Sequence, residues 1–124
     1  MSNARKLRLL KQWTREFKRQ FGVKNRIVCR LGNQSAVRDP SCASGRKETF
    51  GLSWMNKAVT VGYIELDPHR AWHEDKDGPY NTALHEFIHI WLRLQAKADE
   101  DGAAEEVAVR KLTKIYLEKF TAVV

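Results

Sequence analysis

Residues 81 to 97, Asn-Thr-Ala-Leu-His-Glu-Phe-Ile-His-Ile-Trp-Leu-Arg-Leu-Gln-Ala-Lys, decide how this chain reads. Leu84, Phe87, Ile88, Ile90, Trp91, Leu92 and Leu94 leave almost no side of a helix polar, the mark of a helix enclosed by other elements. Into that apolar segment the sequence sets His85, Glu86 and His89, and each polar group held away from water costs a few kcal/mol unless it finds a partner. The four-residue step puts both imidazoles on one side of the helix, about a turn apart. There they supply two adjacent corners of a tetrahedral zinc site with bonds of about 2.0–2.1 Å. In this H-E-x-x-H pattern the carboxylate beside the ligands, Glu86, takes the part of general base.

A third ligand is needed. No histidine follows His89, so a third imidazole comes only from upstream, from His69 or His73. A carboxylate from the last helix is the leading choice. That helix reads from about Ala103 to Phe120, with Val109, Leu112, Tyr116 and Phe120 along one stripe. At about 100° per residue the stripe centres almost where Glu105 projects, while Glu106 falls about 100° away. Glu105 is therefore the expected inward acid and third ligand, with Glu106 and an upstream histidine as the alternatives. Tyr80, His73 and Tyr116 are the candidates for stabilising an oxyanion.

Working outward, the first helix reads from Asn3 to Phe21. Leu7, Leu10, Trp13, Phe17 and Phe21 recur at steps of three and four, Arg8, Lys11, Arg15, Lys18 and Arg19 take the other sides, and Gly22 stops it. Residues 26 to 31 form a short strand, and Gly32 to Lys47 is a long polar loop. Residues 49 to 55 and 58 to 66 form two antiparallel strands about Asn56-Lys57. Val59, Val61 and Tyr63 alternate on one face and Ile64 and Leu66 on the other, so a bulge is expected near Gly62. Asp67-Pro68 ends the strand, residues 69 to 80 form a loop, and Asp99 to Gly102 separates the last two helices. The fold class is α+β: an N-terminal helix, a small, mostly antiparallel sheet of three to four strands, a buried helix carrying the site, and a C-terminal helix.

The chain has 124 residues, 43% hydrophobic and 30% charged. That is enough for one core and too little for two, so residues 1–124 read as a single domain, and disorder is excluded. The net charge of +7 is uneven: residues 1 to 50 hold 13 basic and 3 acidic side chains, while residues 51 to 124 carry a net charge of −3. A first half at +10 fits a phosphate-rich partner, so nucleic acid is a candidate partner through the basic N-terminal half. Cys29 and Cys42 read as separate reduced thiols. Arg8 and Lys11 break the Leu7, Leu9, Leu10 run, so no leader is expected, and no stretch approaches the roughly 18 apolar residues of a membrane span. A cytoplasmic protein without membrane contact is expected.

The run Tyr63-Ile64-Glu65-Leu66-Asp67-Pro68, an intervening loop, Thr82-Ala83-Leu84-His85-Glu86-Phe87-Ile88-His89 and a downstream Glu-Glu helix resemble the small gluzincin-type and SprT-like metallopeptidase domains of phages and bacteria. The likeness covers about residues 48 to 120. It implies a zincin-like fold, Zn2+ held by His85, His89 and a downstream glutamate, Glu86 as general base, and the strand at 58 to 66 as the edge along which an extended peptide lies. The expected activity is zinc-dependent hydrolysis of a peptide or protein substrate. The alternative is a nucleic-acid-binding or regulatory module with a structural zinc, favoured by the basic first half with Trp13, Phe17 and Trp54.

Overall fold

The computed structural model describes residues 1–32, 50–96 and 102–121. Most of the expected loop at 32 to 47, including Cys42, and most of the break at 99 to 102 lie outside the described residues.

Helix α1 runs Asn3–Phe21, opened by the Ser2 hydroxyl, which accepts the Arg5 amide at 3.2 Å. It closes at Gly22 in the left-handed conformation (φ 68°), whose amide returns to the Lys18 carbonyl. Glycine takes that conformation without the penalty a side chain incurs. Leu10 and Phe17 are fully buried, whereas Arg8, Lys11 and Arg15 are exposed, so the apolar stripe faces the core as its spacing predicts.

Strands β1 (Arg26–Leu31), β2 (Gly51–Met55) and β3 (Val61–Leu66) form one sheet in the order β1-β3-β2. β3 is central, antiparallel to β2 as expected but parallel to β1, so the sheet is mixed. Both registers run without interruption, from Arg26↔Val61 to Leu31↔Leu66 and from Gly51↔Leu66 to Met55↔Gly62. The expected bulge at Gly62 is therefore absent. Gly62, Ile64 and Leu66 share the buried inner face, and the alternation looked broken because Gly62 has no side chain to display it. Val59, counted with the strand, instead sits before it at φ 56°.

α2 (Gly78–Ala96) packs against α1, β2, β3 and α3 (Gly102–Thr121), which makes it the enclosed helix its composition implies. Leu84, Phe87 and Ile88 are fully buried, and Phe87 meets the rings of Phe17 and Phe21 at 5.5 and 5.3 Å. Each such side chain contributes roughly 1.5–3 kcal/mol of burial. Between β3 and α2, Asp67 Oδ1 accepts the amides of His69 and Arg70, both at 2.9 Å, and starts one wide helical turn at Arg70–Glu74. Asp75 then accepts the Thr82 hydroxyl, fixing the entry to α2. No described helix is long and apolar enough to cross a membrane.

Candidate metal centre

Stepping by four along α2, Asn81, His85 and His89 occupy one line, and α3 brings a carboxylate to it. His85 Nε2 lies 3.1 Å from Glu106 Oε1, and His89 Nε2 lies 2.9 Å from Glu106 Oε2. Ligand atoms of His85, His89 and Glu106 all fall within 4.8 Å of one another. Bonds of about 2.0–2.1 Å at tetrahedral angles set donor atoms about 3.3 Å apart, so this group needs little adjustment to enclose zinc. Two imidazole nitrogens and one carboxylate oxygen are also a donor set that zinc accepts.

Glu105 was expected to close this set, whereas the carboxylate that the structure sets against Nε2 of both histidines is Glu106. Glu105 does turn inward, with its side chain 14% exposed, but its Oε1 lies 2.7 Å from His89 Nδ1, the other side of the ring. Arg93 Nε stands 3.5 Å from the same oxygen. The reason lies in which row of α3 faces the site. Tyr116, used to locate the inward stripe, packs with Phe21 and Trp91 in the aromatic core. The neighbouring row, Glu106, Thr113 and Leu117, lines the cleft.

The cluster is electrostatically strained toward an ion pair. Burial pulls the His89 pKa down, but its hydrogen bond to Glu106 and the charge of Glu86, joined by the bond to Glu105, outweigh this and raise it to about 9. Hydrogen bonds from His85 and then His89 hold the Glu106 carboxyl well below the usual carboxylate range, against the opposing effect of burial. A divalent cation held here would take the place of the proton between His89 Nε2 and Glu106.

Glu86 points from α2 toward the sheet. It is 7% exposed, and the Ser53 hydroxyl donates to its Oε1 at 2.7 Å. Ser53 lies on the inner face of β2, opposite Ile64. Glu86, His85 and Glu106 line one cleft of about 630 Å³ between α2, α3 and the start of β2.

The structure redistributes other expected roles. The His69 and His73 rings lie 5.0 Å apart with their planes tilted by 36°, His69 is 3.8 Å from Glu74, and neither joins the group around His85. Tyr80 sits edge-on to Trp13 and Phe17, and burial raises its pKa. Neither Tyr80, Tyr116 nor His73 lines the cleft. Asn81, Arg110 and Lys114 do, with Arg110 Nε 3.3 Å from Glu106 Oε1. Their signal was present, since Asn81 precedes His85 by four residues and Arg110 follows Glu106 by four. Nor is the strand at 58 to 66 an edge: β3 is central, and among the described strands β2 is the edge beside the cleft. Comparison of the chain with protein-family models, curated proteins and solved structures finds no match.

Proposed function

We propose that the chain is a zinc-dependent peptide hydrolase in which His85, His89 and Glu106 hold the metal and Glu86 is the general base. One observation carries this reading: two imidazoles a helical turn apart and a carboxylate from the facing helix converge, and a buried glutamate shares the cleft of His85 and Glu106. Three protein ligands leave one position open. Held by these three residues, zinc would polarise a carbonyl and bring a bound water's pKa toward neutrality.

The remaining work falls to the chain's own groups. Ser53 occupies Glu86 Oε1, which leaves Oε2 to take a proton from water and deliver it to the departing amine. Glu105 fixes the His89 ring by accepting at Nδ1, so that Nε2 faces the metal. Asn81, Arg110 and Lys114 are the donors available to a developing oxyanion. An extended peptide adding to the edge of β2 runs beside Phe50 and Gly51 at the cleft.

The test is metal analysis of the purified chain beside hydrolysis of an unfolded protein substrate. The expected result is one zinc per chain, with Glu86→Gln retaining the metal and losing at least about a hundredfold in turnover. A chain that holds no stoichiometric metal, or a Glu86→Gln variant that turns over normally, rejects the reading.

A further inference from the structure

A second surface lies away from the cleft, on the outer face of the sheet and around the edge of β1. Val28, Tyr63 and Trp54 stand in register across the three strands on the face opposite α1 and α2. The Trp54 and Tyr63 rings stack, with planes 5° apart and centroids 5.3 Å apart, and both residues remain partly exposed. The Arg30 guanidinium lies 4.8 Å from the Trp54 ring centre, held there by Glu65 at 3.0 Å.

At the edge of β1 this face turns into a cleft of about 320 Å³. Four consecutive strand residues, Arg26 to Cys29, line it, so the edge of the strand and not merely one face opens there. Its other wall is the exposed side of α1, where Lys11, Arg15 and Lys18 follow at steps of four and three along about 10 Å of helix. Among the described residues, none of these three cations nor Arg26 forms an ion pair with a carboxylate.

A row of unneutralised cations asks for a polyanion, and stacked aromatic rings beside an arginine plane ask for flat bases. An acidic peptide satisfies only the first, and a duplex keeps its base faces covered. We propose that this surface binds single-stranded nucleic acid, with phosphates along Lys11, Arg15, Lys18 and Arg26 and bases against Trp54 and Tyr63. Of the aromatic residues expected to serve a nucleic acid, Trp13 and Phe17 belong to the core: Phe17 is fully buried, and Trp13 packs on Trp72 and Tyr80. Trp54 is the one that faces outward, with Tyr63 as its unanticipated neighbour.

The experiment measures binding of the full chain to labelled oligo-dT, to a duplex of equal length and to polyglutamate across a salt series. Oligo-dT is expected to bind best, with log affinity falling by about 2 to 3 per tenfold rise in salt for three to four phosphates contacted. Replacing Lys11, Arg15 and Lys18 together by Gln reduces that slope by about 2. Trp54→Ala weakens oligo-dT binding about tenfold or more, while Trp54→Phe retains most of it. Circular dichroism checks that the variants fold, and the comparison of the three ligands needs no variant. Duplex or polyglutamate bound as tightly as oligo-dT overturns the proposal, as does no binding at low salt or full-strength binding by folded Trp54→Ala and Tyr63→Ala proteins.

Discussion

His89 stands between two carboxylates, with its Nδ1 2.7 Å from Glu105 Oε1 and its Nε2 2.9 Å from Glu106 Oε2. The two acids therefore do different work on one ring. Glu106→Ala removes a donor atom and is expected to abolish stoichiometric zinc retention. Glu105→Ala leaves all three donors but releases the ring, and zinc affinity is expected to fall about 10- to 100-fold. Chelator competition on the two variants checks the order. Greater loss from Glu105→Ala would restore the ligand set projected from the sequence.

Metal uptake should be linked to pH through the same ring. With a pKa of about 9, His89 carries both ring protons in the metal-free chain at pH 7, one toward Glu105 and one toward Glu106. A metal needs Nε2 unprotonated, so binding expels about one proton. Apparent affinity is expected to rise about tenfold per pH unit toward pH 9 and to level off above it. Titration calorimetry in buffers of different ionisation enthalpy counts the proton. For the metal-free fold the sign is opposite. The raised His89 pKa gives stability that is fully present below its ordinary value of 6.5 and lost as pH rises through about 9. The lowered Glu106 pKa gives stability present above 4.5 and lost only in stronger acid.

Ser53 is expected to matter through Glu86 alone. Ser53→Ala leaves Glu86 Oε1 buried without its 2.7 Å donor, and an unmet buried acceptor costs about 1–3 kcal/mol. Turnover should fall about tenfold, with zinc content unchanged. Ser53→Thr keeps the hydroxyl and should recover most of the activity. Full turnover in folded Ser53→Ala assigns the contact to packing.

The parts of this fold that sequence alone made legible share one property: their signal is local. α1 shows an apolar stripe, a basic face and a glycine stop, and it forms over the residues expected. α2 shows burial on all sides and a histidine pair. What stayed hidden depends on how elements meet. The parallel pairing of β1 with β3 follows from tertiary placement, and no periodicity within either strand encodes it. The choice between Glu105 and Glu106 turns on which of two adjacent rows of α3 faces the histidines, and the aromatic row faces the core. Ser53 carried a readable sign, a polar residue on the inner face of an alternating strand, but naming its partner required the sheet.

Gly62 offers a stability test that also reaches the site. A Cβ there would lie 3.0 Å from Ile90 Cδ1, 3.1 Å from Ile90 Cγ2 and 3.4 Å from Met55 Sδ. Ile90 is 1% exposed and directly follows His89, so it has little room to retreat. Gly62→Ala is expected to destabilise the fold by about 1–3 kcal/mol, the range for overpacking a filled core. Ile90→Val removes the Cδ1 methyl that the new Cβ meets first. The double variant should therefore be less destabilised than the two single variants together, by about 0.5 kcal/mol or more in a urea-melt cycle. Simple additivity would show that β3 accommodates the methyl by moving away from α2. In that case the close approach of strand and helix at Gly62 is not what sets the position of His89.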